Sequence, residues 1–243
     1  MEASSEQQKK SENSSSSSSS KLLLYSYWQS SCSWRVRFAL SLKGVPYEYK
    51  PVNITKGEQF SPDFKRLNPL HLFRCWSMPS NHRPEGLSLG STSYLTIIVY
   101  FVKYLEDKYP QRPLLPADPR LKALNLRAAS IINSNIQPLH MLSLLKHLEE
   151  KVGPEESLSF AQLNIEKGLL ALEMLLKDFA SRYATGDEVY MADVFLAPQI
   201  VVSTSRFNIN MSKFPTLSRL YESYKILLEL EASSPERQPD AVH

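Results

Sequence analysis

The string LLLYSYWQSSCSWRVRFALSLKGVPYEYKPVN, residues 22–53, decides the fold. Residues 22–27 form a short apolar and aromatic run, a buried strand by length and composition. Ser30, Ser31 and Ser33 then offer hydroxyls of the kind that cap a helix. Val36, Ala39, Leu40 and Leu42 follow at helical spacing, and Gly44 stands where a left-handed residue ends a helix. Residues 47–52 are a second strand candidate. Strand, helix, strand is the start of a βαβ unit in an α/β domain.

Upstream, residues 1–20 are nearly all Ser, Glu, Lys, Gln and Asn, ending in seven serines. With almost no apolar area to bury, this leader is expected to be disordered. Downstream, Ser61 with Pro62 reads as the start of a short helix over residues 61–67. Residues 94–109 turn helical in their second half, with Val102, Leu105 and Tyr109 on one side. Pro110, Pro113, Pro116 and Pro119 then mark residues 110–120 as a linker. Beyond it the pattern is helical throughout. Residues 121–152 read as one long helix or two in line, interrupted near Pro138. Residues 158–182 are amphipathic, and residues 192–207 are apolar nearly all round, as a central buried helix should be. A last helix is expected from Phe214 to about Leu230, and residues 232–243 are expected to be a loose tail. The chain thus divides into a small α/β domain (residues 21–109) and an all-α domain (residues 121–231).

Composition narrows the function classes. The net charge of +3, with no basic cluster on one segment, gives no footprint for a nucleic-acid partner. No apolar run approaches the roughly 20 residues needed to span a bilayer, and no secretory h-region is visible. Cys32 and Cys75 make neither a disulfide framework nor a metal-ligand spacing. A reducing, cytoplasmic setting is the expectation.

The chemistry-bearing string is Ser30-Ser31-Cys32-Ser33-Trp34-Arg35, between strand and helix. A helix N-terminus carries free N–H groups and partial positive charge, so it stabilises an anion and drives a thiol toward thiolate. Serine hydroxyls there can donate to a bound sulfur anion. The string is therefore a candidate site for an anionic or thiol ligand. On spacing alone, a plain helix cap is the simpler account.

The string SSCSWRVR, preceded by LYSYW and followed by LKGVPYEYKPVN, resembles the N-terminal signature of zeta-class glutathione transferases, the maleylacetoacetate isomerase family. The resemblance resumes in YLEDKYP (104–110), IQPL (136–139), ATGDEVYMADVFLAPQ (184–199) and FPTLSRLYESY (214–224). It implies an α/β thioredoxin-like domain that binds glutathione, an all-α domain that shapes the substrate pocket, and a homodimer. It implies that Ser30 hydrogen-bonds the glutathione sulfur, with Ser31, Cys32, Ser33, Trp34 and Arg35 completing the turn. Gln59 and Gln137 match glutathione-contacting glutamines. Met141, Leu142 and Ser143 replace the family's Asn-Leu-Ser, which alters one contact. Arg206 falls where the family holds a substrate carboxylate. The implied reaction converts maleylacetoacetate to fumarylacetoacetate in tyrosine catabolism: a glutathione thiolate adds to the cis double bond, the resulting single bond rotates, and elimination leaves the trans isomer. Small electrophiles are further implied substrates. Asp193 reads as structural, the N3 carboxylate of half a capping box whose other half would need Ser or Thr in place of Tyr190.

One stretch departs from the family. After Leu67-Asn68-Pro69 the family's Val-Pro step and later acidic-Ser or Gln-Ser pair are missing, so residues 70–102 are atypical. Reading the codons of residues 73–78 two bases late allows Pro-Val-Leu-Val-Asp, close to the family pattern, so a frame or exon change is one account. Two further functional readings follow. One is a chain that has lost part of its glutathione site. The other is a redox protein using Cys32, although no C-x-x-C pair is present.

Overall fold

The computed structural model describes residues 22–62, 64 and 96–242, with the backbone alone for 96–100. The Ser-rich leader, Cys75, most of the helix expected at 61–67 and residues 70–95 of the atypical stretch lie outside these residues.

Strand β1 (Leu22–Ser26) buries Leu22, Leu24 and Ser26, the period of two that a one-sided strand requires. It pairs in parallel with β2 (Tyr47–Pro51), from Leu22 opposite Tyr47 to Ser26 opposite Pro51. Between them runs α1 (Ser31–Lys43), which Gly44 ends at φ +64°, its N–H donating to the carbonyls of Leu40 and Ser41. Parallel strands need such a crossover, which the sequence predicted. Two short 3₁₀ turns, Ile54–Lys56 and Glu58–Phe60, follow β2. Ser61 Oγ accepts from the Phe64 N–H at 3.3 Å, as the expected cap should.

Helix α2 (Thr96–Lys108) buries Val102 and Leu105 and packs on α1. Lys43 fastens the linker beyond it. Its fully buried ammonium meets Glu106 at 2.6 Å and donates to the carbonyls of Tyr109 and Arg112. Glu106 in turn accepts from the Leu114 and Leu115 N–H groups. The linker is shorter than its prolines suggest. Asp118 caps a helix with Pro119 at its first position, where a missing N–H costs nothing.

That helix, α3 (Pro119–Ser130), widens into a π-helical segment (Ile131–Ile136) and then tightens into a 3₁₀ turn (Gln137–His140). Pro138 explains the interruption, because its ring and missing N–H cannot continue an α-helix. Helices α4 (Leu142–Val152) and α5 (Pro154–Leu176) pack together. Gly168 of α5 lies so close to Ile136 that a Cβ there would fall 2.1 Å from Ile136 Cγ1. Helix α6 (Met191–Phe207) is buried continuously from Met191 to Ile200, forms the centre of the molecule and packs against α1 and α3.

Asp193 anchors the start of α6. Its Oδ2 accepts from the Tyr190 N–H (2.9 Å), and its Oδ1 accepts from the Ala184 N–H (2.8 Å) and the Tyr224 hydroxyl (2.6 Å). The structural role read from the sequence fits this geometry. Tyr190's hydroxyl cannot play the part of a short cap side chain.

Two expectations fail. The last helix is two: α7 (Pro215–Lys225) and α8 (Leu228–Ala232), because Leu227 adopts an extended conformation and re-aims α8 onto α1. Residues 233–240 are not a loose tail. Ser233 accepts through Oγ from Trp34 Nε1 (3.1 Å) and through its carbonyl from Arg37 Nε (3.0 Å). Asp240 accepts from the Trp28 N–H (3.2 Å) and the Tyr49 hydroxyl (2.6 Å). Polar composition looked loose, but these polar atoms have buried or half-buried partners waiting in the N-terminal domain.

Candidate active site

The turn between β1 and α1 is closed by the Ser30 N–H donating to the Tyr27 carbonyl at 3.0 Å. Ser30 then caps α1. Its Oγ accepts from the Ser33 N–H (3.3 Å) and its carbonyl from the Trp34 N–H (2.9 Å). Because Oγ uses a lone pair toward the helix, its own proton remains available to donate. The backbone N–H groups of Ser31 and Cys32 have no partner among the described residues. With the partial positive charge of a 13-residue helix behind them, they make an end suited to an anion. The buried Ser33 hydroxyl faces back into the turn, accepting from the Tyr27 N–H at a long 3.5 Å.

Cys32 and Arg35 face the helical domain. The side chain of Gln137, on the 3₁₀ turn below the π-helical segment, donates Nε2–H to Cys32 Sγ and accepts at Oε1 from Arg35 Nη1. Arg35 Nη2 donates to Gln199 Oε1 at 3.0 Å, and the guanidinium lies 5.3 Å from the Phe195 ring centre. Gln199 Nε2 donates to Ser203 Oγ (3.2 Å), and the His140 ring nitrogen stands 3.4 Å from Gln199 Oε1. The result is a buried polar chain, Cys32–Gln137–Arg35–Gln199–His140, sewing the two domains together behind the turn. Burial pulls the His140 pKa down to about 4, aided by the Arg35 charge, so this imidazole is neutral at pH 7.

The other sequence candidates are dispersed around this centre. Trp34 is buried and its indole N–H is committed to Ser233, so it braces the turn from behind. Gln59 sits on the second 3₁₀ turn, and its Oε1 is buried without a hydrogen-bond partner among the described residues. A buried orphan acceptor is costly, and a ligand N–H would relieve it. Met141 occupies the cap position of α4 but makes no side-chain cap, whereas Leu142 and Ser143 are exposed beside it. Arg206 lies on the last turn of α6, its guanidinium 5.2 Å from the Phe207 ring, which also packs against His140 at 5.3 Å. No direct hydrogen bond joins Arg206 to residues 30–35 among the described residues. A cavity of about 460 Å³ opens between Tyr25, Lys50, Val52, Glu58 and Phe64, apart from the turn.

Sequence reasoning missed Gln199, His140 and Asp240. Gln199 and Ser203 were detectable as polar residues four apart on the buried length of a largely apolar helix. Nothing local marks Asp240, because its partners lie more than 190 residues away.

Among the described residues no helix is long and apolar enough to cross a membrane. The family "Glutathione S-transferase, N-terminal domain" matches residues 20–85. The zeta-class glutathione S-transferase of Euphorbia esula is 49% identical over 218 residues, covering 90% of this chain and 92% of that protein. The maleylacetoacetate isomerase of Rattus norvegicus is 41% identical over 220 residues, covering 90% of this chain and 94% of that one. The crystal structure of maleylacetoacetate isomerase from Anaeromyxobacter dehalogenans with glutathione bound in the active site superposes with a TM-score of 0.77 at 35% identity, covering 91% of this chain and 98% of that one. The capped turn, the helical domain behind it and these likenesses agree: the chain belongs to the zeta class of glutathione transferases.

Proposed function

We propose that the protein catalyses glutathione-dependent cis–trans isomerisation of maleylacetoacetate to fumarylacetoacetate, with glutathione transferase activity toward small electrophiles. The observation that carries the reading is the Ser30 cap, whose Oγ accepts from the Ser33 N–H and so keeps its proton for a ligand, beside the unpartnered Ser31 and Cys32 N–H groups at the N-terminus of α1. Relatives named as maleylacetoacetate isomerases support the reaction, and structural neighbours with glutathione bound support the ligand. A homodimer in the cytoplasm completes the reading.

The residues present fit glutathione. The Ser31 and Cys32 N–H groups suit an anion, and the orphan Gln59 Oε1 suits an amide donor. Glutathione, when bound, would supply a thiolate nucleophile for the cis double bond. Ser30 and Ser31 hydroxyls donate to the sulfur, lowering the pH at which it ionises. The end of α1 adds its partial charge. Cys32 does not serve as nucleophile in this reading, since its sulfur is buried and takes a hydrogen bond from Gln137. Gln137 and Arg35 hold the first turn of α1 against the helical domain. Arg206 steers the substrate carboxylate, and neutral His140 below it adds no competing positive charge.

Isothermal titration with glutathione tests the ligand, and an isomerase assay with maleylacetoacetate tests the reaction. Millimolar or tighter binding with glutathione-dependent turnover is the expected result. A folded protein that binds no glutathione would overturn the reading.

A further inference from the structure

The turn carrying Ser30 is held from outside its own domain. Within the turn, the Ser30 N–H bonds to the Tyr27 carbonyl, so the intervening Trp28 N–H points outward with no partner in the turn itself. The β-ladder cannot take it either, because the last ladder contact is the Val52 N–H on the Ser26 carbonyl. Asp240 takes it, through Oδ2 at 3.2 Å. The other oxygen, Oδ1, accepts the Tyr49 hydroxyl from β2 at 2.6 Å. One carboxylate thus bridges the turn and the neighbouring strand. Burial and the adjacent carboxylate push the Tyr49 hydroxyl well above the usual tyrosine range, so it remains a donor.

The carbonyl side of the same turn is held as well. Arg37 donates to the Tyr27 carbonyl (3.4 Å), the Trp28 carbonyl (3.1 Å) and Ser26 Oγ (3.0 Å). Arg37 Nε donates to the Ser233 carbonyl, and Trp34 on the first turn of α1 donates to Ser233 Oγ. Residues 233–240 therefore clasp both edges of the loop that presents Ser30, with Asp240 as the charged member.

We infer that Asp240 is a positioning residue for the glutathione site, fixing the Trp28–Ser30 turn by bridging the Trp28 N–H and the Tyr49 hydroxyl. This rests on the proposed glutathione-dependent function. Hydrogen bonds to an ionised acceptor are the stronger kind, and a donor hydroxyl misplaced by about 1 Å can cost roughly 100-fold in rate.

The test uses full-length Asp240→Ala, Asp240→Asn and Tyr49→Phe proteins. Hydrogen exchange is followed at the Trp28 and Ser30 amides, the latter bonded to the Tyr27 carbonyl, with glutathione titration and the KM and kcat of turnover. In Asp240→Ala, Trp28 exchange is expected to quicken at least tenfold and kcat/KM to fall roughly 10- to 100-fold. Asp240→Asn keeps one acceptor oxygen and should recover part of the loss. Tyr49→Phe leaves the carboxylate in place and should show a smaller change in the same direction. It also keeps the question answerable should Asp240→Ala fail to fold. Unchanged Trp28 exchange would overturn the inference. So would faster exchange with unaltered glutathione binding, which would make Asp240 a brace for the fold alone. If the wild-type protein neither binds nor turns over glutathione, the functional reading is what fails. The positional claim is then decided by whether Trp28 and Ser30 exchange together.

Discussion

Gln137 donates its side-chain N–H to the sulfur of Cys32, 105 residues earlier in the chain. One amide thereby closes the seam between the two domains directly behind the proposed glutathione turn. Its oxygen is engaged as well, by Arg35. Gln137→Ala should uncover Cys32 without unfolding either domain. Alkylation of Cys32 by iodoacetamide is expected to speed up several-fold, as followed by mass spectrometry. An unchanged rate would mean that something other than Gln137 shields the thiol.

Ser30 has one observed role and one proposed role, and they are separable. As helix cap, its loss in Ser30→Ala should cost about 1 kcal/mol of stability. As the donor to sulfur, its loss should lower kcat/KM by about 10²–10³. Ser30→Gly separates them, since glycine is a tolerable cap but no donor. Gly should restore most of the melting temperature and none of the rate.

Asp193 makes stability depend on pH. Burial lifts its carboxyl from 3.8 to about 6, while the bonds from Tyr224, Tyr190 and Ala184 pull the other way. The folded protein therefore holds this proton more tightly than the unfolded chain does. The stabilisation is complete below about pH 4 and is lost as pH rises through about 6, a swing of about 3 kcal/mol. Urea unfolding of wild type and Asp193→Asn, compared at steps from pH 4 to pH 7, should show wild type losing about 3 kcal/mol relative to the variant as pH rises across that window. A constant difference would mean the carboxyl keeps one charge state throughout.

His140 acts in the opposite sense. Burial, and then the Arg35 charge, lower its pKa from 6.5 to about 4. Its contribution is complete above about pH 6.5 and is lost as pH falls toward 4, also by about 3 kcal/mol. His140→Gln should remove this acid sensitivity while leaving the fold intact at pH 7.5. Equal losses in wild type and variant between pH 7 and pH 5 would contradict it.

Gly168 is set by contact, with Ile136 filling the space its Cβ would take. Gly168→Ala should destabilise by roughly 1–3 kcal/mol through overpacking. Ile136→Val in the same protein should recover part of that. Because Gln137 follows Ile136, the single variant should also raise the KM for glutathione. A melting temperature equal to wild type would show that the π-helical segment yields without strain.

Much of this was legible from residues alone. The run from Leu22 to Gly44 carried its own strand, cap and stop signals, and the structure follows them, with α1 starting at Ser31 rather than Trp34. The central helix α6 was readable because a helix buried on all sides must be apolar on all sides. Pro138 foretold a break but not its form, since widening to a π-helix depends on what packs alongside. The turn at Ser30 was visible as chemistry, and the role of Arg35 was not. An arginine five residues past Ser30 reads the same whether it faces a ligand or two glutamines in a domain seam. Residues 233–240 misled for a related reason: polarity signals loose chain only when no buried partner awaits it, and those partners are remote in sequence.

The grip of Asp240 on Trp28 also sets an order of assembly. A ribosome makes Trp28 212 residues before it makes Asp240. At about 5–20 residues per second, the newborn N-terminal domain waits roughly 10–40 s for that clasp. During synthesis the strand–helix turn therefore exists unfastened, and the part of the site translated first is the part completed last.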